Sequence, residues 1–364
     1  MEKDAYLILE NGTVFKGKSF GYEAEAIGEI VFTTSMTGYL EILTDPSFYG
    51  QVVVHTFPLI GNYGIIPEDC ENDKPYIKGY IVREWCQDPS NFRSKGNLDT
   101  FLKEKKVPGL YGIDTRALTK IVRECGVMNG KIAFQDEVNQ EILKELENYR
   151  IYDAVKSVSR KEKLYEPAEN EKCQVVLWDF GAKGNIARCL TRRGCSVTTV
   201  PFDSTAEEIL SYKPDGIMLS NGPGDPSENI EIIRELSKLV NAGIPVFGIC
   251  LGHQLLSLAI GGNTKKMKYG HRGGNQPVLD MKNDRVYITS QNHGYCVIPE
   301  SLPANAKMSF CNVNDGTCEG IEVLDQPVFS VQFHPEASSG PKDTEFLFDR
   351  FVEVMEGGKQ NASR

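Results

Sequence analysis

Among the ten cysteines and five histidines of the chain, one of each stands in a frame suited to nucleophilic catalysis. Cys250 lies in Pro245-Val246-Phe247-Gly248-Ile249-Cys250-Leu251-Gly252-His253-Gln254. The segment reads as a buried strand, a nucleophile in a G-x-C-x-G frame, and the start of a helix. A sharp strand-to-helix turn exposes such a side chain, and a small residue on either side keeps clashes away. A sulfur at a helix N-terminus is drawn toward the thiolate by the macrodipole and the unpaired amides. The N–H of the next residue, Leu251, is then placed to help bind an oxyanion. Taken in isolation, the same frame fits a buried cysteine that ends a core strand just as well.

A thiolate nucleophile needs a general base, and the histidines are 55, 253, 271, 293 and 334. His253 follows Cys250 on the elbow helix, where it is expected to point away from the sulfur. His334 follows an apolar strand in the frame Gln332-Phe333-His334-Pro335-Glu336. A strand end presents its side chain at the carboxyl edge of a parallel sheet, where the sites of doubly wound folds gather. Glu336 can accept the other imidazole N–H and so fix tautomer and orientation. An isolated H-x-E is more often two surface polar residues; with the elbow it becomes a Cys-His-Glu triad candidate. Ser220-Asn221-Gly222-Pro223-Gly224-Asp225-Pro226 follows a strand and can turn backbone amides toward a bound group, which suits a second oxyanion donor. Asn292-His293-Gly294-Tyr295 is a further polar turn after a strand.

These residues must be carried by ordered elements, and the two halves of the chain read differently. Residues 6–9 form an apolar run, followed by an Asn11-Gly12 turn and a second alternating stretch, which together predict a hairpin. Further strands are expected at 29–33, 51–56 and 76–83, with helices at 99–106 and 114–125, the latter capped by Asp114. This is the pattern of a strand-rich α+β domain over residues 1–155. Residues 156–172 are charged and aperiodic and are expected to be a surface linker. From residue 173 short apolar strands (174–178, 196–201, 216–220, 245–249) alternate with helices (185–193, 230–241, 251–260). That order predicts an α/β domain over 173–358 with a doubly wound, mostly parallel sheet. Strand signals return at 286–289, 320–323 and 328–332, a final helix is expected at 344–355, and residues 359–364 read as a tail.

Composition narrows the class. The 364 residues are 40% hydrophobic and 25% charged, enough to bury a sizeable core. The 40 basic and 50 acidic residues give a net charge of −10, which argues against a nucleic-acid or anionic-membrane partner. No apolar stretch approaches a membrane span, and the charged start Met1-Glu2-Lys3-Asp4 is unlike a signal peptide, so a cytoplasmic location is expected. The cysteines are scattered and include no C-x-x-C pair, so neither a metal site nor a disulfide framework is expected. Gly12-Thr13-Val14-Phe15-Lys16-Gly17-Lys18-Ser19 matches the phosphate-binding loop pattern, but no helical period follows it. It reads as hairpin instead.

The N-G-P-G-D-P, G-I-C-L-G-H-Q and F-H-P-E segments resemble the class I glutamine amidotransferase family in order and spacing. In the N-terminal half, Thr34-Ser35-Met36-Thr37-Gly38-Tyr39, Ile42-Leu43-Thr44-Asp45-Pro46-Ser47 and Gly112-Ile113-Asp114-Thr115-Arg116 resemble the domain specific to small subunits of carbamoyl-phosphate synthetases. The resemblance implies that Cys250 attacks the side-chain amide of glutamine, that His334 relays protons, and that Glu336 orients it. It implies oxyanion donors at Leu251 and the Gly222/Gly224 loop. Glutamine would be held by Ser47, Gly222, Gly224, Leu251, Gln254, Asn292, Gly294 and Tyr295, the last departing from a pattern in which Phe is commoner. His271-Arg272-Gly273-Gly274-Asn275 also resembles the family, in a segment without an assignable catalytic role.

The chain carries no nucleotide loop, so no cofactor is expected on it. The resemblance implies that ATP and Mg belong to a large synthetase subunit. That subunit would pair with this chain as a heterodimer or a higher oligomer of it, and receive ammonia for carbamoyl phosphate synthesis. Rival readings are a glutaminase for a different synthetase, which the N-terminal domain argues against, a cysteine peptidase of similar triad geometry, and a non-catalytic regulatory module.

Overall fold

The computed structural model describes residues 3–337 and 339–362. It divides into two compact units, Met1–Tyr152 and Asp153–Arg364.

In the first unit the expected hairpin forms from strands Asp4–Leu9 and Val14–Gly21, paired antiparallel. Gly12, with φ of 82°, makes the turn between them. The residues that match the phosphate-loop pattern are therefore turn and strand. Five more strands, Pro108–Tyr111, Gly79–Ile81, Gln51–His55, Ala26–Thr33 and Met128–Ala133, close the sheet into a barrel in that order. Alternation explains the two faces. Leu7, Leu9, Ile30, Val52, Val54, Leu110 and Ile132 form one buried cluster, while Val31, Val53 and Tyr80 pack with Tyr39, Leu40 and Leu43 in another. The helix Thr115–Cys125 is capped as expected by Asp114, which accepts from the Ala117 N–H at 2.9 Å, and it adds Leu118 and Val122 to the first cluster.

The second unit is built on a ten-stranded sheet. Cys195–Val200, Cys173–Trp178, Gly216–Leu219, Val246–Ile249 and Val328–Val331 lie side by side and parallel in that order. Helices cover both faces. Gly184–Thr191 and Phe346–Ala362 contribute to one core cluster, and Ala206–Ser211, Ile230–Val240 and Leu251–Ala259 to the other. Beyond Val328–Val331 the sheet continues antiparallel through Cys318–Val323, Arg285–Ile298, Asn263–Asp280 and Ala306–Asn312.

Three expectations are corrected. Residues 156–172 are not a free linker: Leu164–Glu166 pairs antiparallel with Cys195–Val200, and the hydroxyl of Ser159 donates to the Asp179 carbonyl at 2.7 Å. This short edge strand buries neither face, with Leu164 and Tyr165 exposed and Glu166 half-buried, so no apolar alternation marks it in the sequence. Residues 359–362 of the expected tail continue the last helix, and 363–364 lie outside the described residues. Asn292–Tyr295 is not a turn but part of the long strand Arg285–Ile298. Its partner is interrupted by register shifts between Lys266 and His271 and between Gly273 and Gln276, so alternation in the sequence is lost. All ten cysteines are free thiols. Among the described residues no helix is long and apolar enough to cross a membrane.

Candidate active site

The carboxyl ends of four adjacent parallel strands deliver the chemistry. Trp178 leads to the loop with Lys183, Leu219 to Gly222 and Gly224, Ile249 to Cys250, and Val331 to His334 and Glu336. This is the edge at which open α/β sheets bind ligands.

Cys250 occupies a backbone conformation that L-residues rarely adopt, φ 53° and ψ −102°, immediately before the helix Leu251–Ala259. Such a strained position persists only where its surroundings over-determine it. Its N–H donates to the Val331 carbonyl at 2.9 Å, and the Gly252 N–H donates to the Ser220 carbonyl at 3.0 Å. The flanking glycines are required by packing. A methyl at Gly248 would lie 2.9 Å from Gly252 O, and one at Gly252 would lie 2.6 Å from Leu219 O. Leu251 is the first helical residue, so its N–H has no intrahelical acceptor. The Cys250 thiol is buried and lies 3.6 Å from the Asn292 carbonyl.

His334 Nδ1 is 2.6 Å from Glu336 Oε1, and both side chains are fully buried. Burial disfavours the imidazolium and Lys183 adds to that, but Glu336 and Cys250 outweigh both and hold the His334 pKa above its ordinary value. Burial likewise opposes ionisation of Glu336, yet His334 and Lys183 keep its carboxyl below the ordinary carboxylate range. The pair is therefore read as imidazolium and carboxylate. The Nε2 of His334 has no hydrogen-bond partner among the described residues, which leaves it available for proton transfer.

Lys183 is the residue that sequence reasoning missed. Its Nζ lies 3.2 Å from His334 Nδ1 and 3.4 Å from Glu336 Oε1. The Lys183 N–H donates to Asn221 Oδ1 at 3.0 Å, and Asn185 donates its side-chain amide to the Glu336 carbonyl. The available signal was Asp179-Phe180-Gly181-Ala182-Lys183-Gly184-Asn185, a polar loop directly after a strand.

The remaining site residues fall into place unevenly. Gln254 donates to the Tyr295 carbonyl at 2.8 Å and to Gln332 Oε1 at 2.9 Å, so its amide braces the elbow helix against the strand of Asn292, Gly294 and Tyr295. Gly224 has φ of 90° and Gly222 packs under Phe180 O, which together shape the loop beside Leu251. Ser47 belongs to the first unit, in the turn Pro46–Phe48, where Asp45 accepts from its N–H at 2.9 Å. His253 turns away as expected: its Nδ1 pairs with the Ser330 hydroxyl at 2.8 Å, and burial pushes its pKa down to about 3. Burial also pushes the thiols of Cys195, Cys296 and Cys318 up to about 12, 11 and 12. These three remain protonated at neutral pH.

Comparison with known proteins adds independent findings. Residues 7–132 match the family described as carbamoyl-phosphate synthase small chain, CPSase domain, and residues 176–354 match glutamine amidotransferase class-I. The chain is 54% identical over 348 residues to a carbamoyl phosphate synthase small chain of Clostridium perfringens, covering 96% of this chain and 98% of that one. It is 50% identical over 360 residues to a carbamoyl phosphate synthase small chain of Methanocaldococcus jannaschii, covering 97% and 99%. A carbamoyl phosphate synthase pyrimidine-specific small chain of Bacillus subtilis is 50% identical over 351 residues, covering 96% and 95%.

Proposed function

The chain belongs to the carbamoyl phosphate synthase small chain family, and from that premise we propose that it is the glutamine-hydrolysing subunit of such a synthase. The single observation that carries the chemistry is the strained Cys250 at the head of a helix, with the buried His334–Glu336 pair on the neighbouring strand end. Cys250 Sγ attacks the side-chain amide carbon of glutamine. The carbonyl π electrons move onto oxygen, and the Leu251 N–H and the Gly222/Gly224 loop receive that oxyanion. Collapse of the tetrahedral species expels ammonia, which takes its proton from His334 Nε2, and leaves a glutamyl thioester. Water then attacks the thioester and gives a proton to Nε2. Glutamate leaves and the sulfur returns as thiolate. Glu336 holds the imidazole at Nδ1 throughout, so that Nε2 faces the reaction. Asn292, Gly294, Tyr295 and Gln254 line the glutamine side of the sulfur.

Ammonia released in bulk water would be protonated and lost as a nucleophile. The reading therefore includes a large subunit that binds ATP and Mg, takes up the ammonia directly, and makes carbamoyl phosphate from bicarbonate for arginine and/or pyrimidine synthesis. The two subunits form a heterodimer or a higher oligomer of it, in the cytoplasm. Acid quenching during turnover of labelled glutamine tests the covalent step. Label should stay on the denatured chain and be released by hydroxylamine; a chain that turns over glutamine and never retains label contradicts the thioester.

A further inference from the structure

His271, His293 and Glu319 bring three ligand-type atoms within 4.8 Å of one another inside the second unit. The two histidines are cross-strand partners in the pairing of Asn263–Asp280 with Arg285–Ile298, and Glu319 comes from Cys318–Val323. The three residues are 7%, 5% and 0% exposed. Register shifts flank His271, as expected where a strand re-aims a side chain.

The outer nitrogen of each ring is already committed. His271 Nε2 lies 2.9 Å from Asp315 Oδ2, and His293 Nδ1 lies 2.8 Å from the Tyr295 carbonyl. Both oxygens are acceptors, so each ring donates its N–H outward. The inner nitrogens then turn lone pairs toward Gln291 Oε1, at 3.0 Å from His271 Nδ1 and 2.8 Å from His293 Nε2. His271 Nδ1 is also 3.4 Å from Glu319 Oε1. Making every contact a hydrogen bond requires a second proton on both rings, two buried cations with centroids 5.0 Å apart. Reversing the Gln291 amide offers donors to the rings but turns its oxygen onto Glu319 Oε2, 2.9 Å from the position that amide nitrogen now fills. That arrangement needs a proton on the Glu319 carboxyl, which burial favours.

A metal cation satisfies the same lone pairs with no added proton. An imidazole held from behind by a carboxylate or a backbone carbonyl is the arrangement that orients metal-binding histidines. Ligands at roughly 2.0–2.1 Å from zinc in a tetrahedron stand about 3.3 Å apart. Three of the separations, 3.0 and 2.8 Å to Gln291 Oε1 and 3.4 Å from His271 Nδ1 to Glu319 Oε1, approach that spacing, and the ligand atoms of the two histidines and Glu319 all lie within 4.8 Å of one another. Glu319 is itself held in place by Asn312 at 3.1 Å. We propose that His271 Nδ1, His293 Nε2 and Glu319 bind one zinc-class divalent cation, with Gln291 Oε1 as fourth ligand. The sequence concealed the site because His271, His293 and Glu319 come from three different strands, far apart along the chain. The cation would staple those strands together. It would also fix the Tyr295 carbonyl, which Gln254 of the elbow helix shares.

Cobalt(II) titration of the full-length chain tests this. The expected result is about one equivalent bound, with the visible d–d absorption of a tetrahedral site of nitrogen and oxygen ligands, no thiolate-to-cobalt charge-transfer band, and bleaching by zinc. Glu319→Gln is isosteric; with its circular dichroism unchanged, it should bind roughly tenfold or more weakly. His271→Asn should do the same. Absence of the bands, a thiolate charge-transfer band, or bands in either variant as strong as those of the unsubstituted chain at the same cobalt concentration would overturn the site. The readout is independent of glutamine turnover, so its failure leaves the proposed glutaminase untouched.

Discussion

His334 and Glu336 meet at 2.6 Å between Nδ1 and Oε1, although neither side chain is exposed to water. A buried pair of this kind is costly to break from one side, because the remaining charge has no partner. Their shifts fix the sign of its pH dependence. His334 is raised above its ordinary 6.5, so its contribution is complete below that pH and is lost as pH rises through the higher folded value. Glu336 is lowered below its ordinary 4.5, so its contribution is complete above that pH and is lost as pH falls through the lower folded value. Glu336→Gln should therefore cost most between those two ordinary values, on the order of 3 kcal/mol, and less on the alkaline side. Denaturant midpoints of the two proteins at about pH 6 and about pH 9 check this. An equal difference at both would contradict the pairing.

Lys183 acts on His334 with the opposite sign, lowering its pKa through charge. Lys183→Met should therefore shift the alkaline limb of the glutaminase kcat/KM profile upward. A limb that stays in place, or moves down, would show that the ammonium does not act on the imidazole.

The elbow depends on backbone contact. Gly252→Ala places a methyl 2.6 Å from Leu219 O, whereas a methyl at Gly96 meets no atom within 4 Å. The first substitution should cost about 1–3 kcal/mol, lower the thermal midpoint and reduce glutaminase turnover. Gly96→Ala should do neither. Calorimetry with steady-state rates separates the two.

A chloroketone analogue of glutamine should alkylate Cys250 and leave Cys195, Cys296 and Cys318 intact, since burial keeps those three protonated. Peptide mass spectrometry reads the result. Alkylation of the buried three at a comparable rate would remove the distinction between them and Cys250.

Local signals made much of the site legible. The glycines around Cys250 mark the elbow because only they allow the helix to pack on Gly216–Leu219, and the His334-x-Glu336 spacing is short enough to read directly. Asp114 announced its helix through capping chemistry. Features built from distant residues were not legible. Lys183 reaches His334 only because two parallel strands end at the same edge of the sheet. Closure of the barrel depends on Asp4–Leu9 finding Met128–Ala133. The interrupted strand Asn263–Asp280 lost its alternation to the shifts beside His271 and Gly273.

The proposed division of labour has this chain supply ammonia and a partner use it. Its most direct test is Cys250→Ser, measured in the assembled synthase with glutamine or with ammonium as nitrogen source. Carbamoyl phosphate synthesis from glutamine should fall by at least about a thousandfold while synthesis from ammonium is retained. Equal loss from both sources would contradict it.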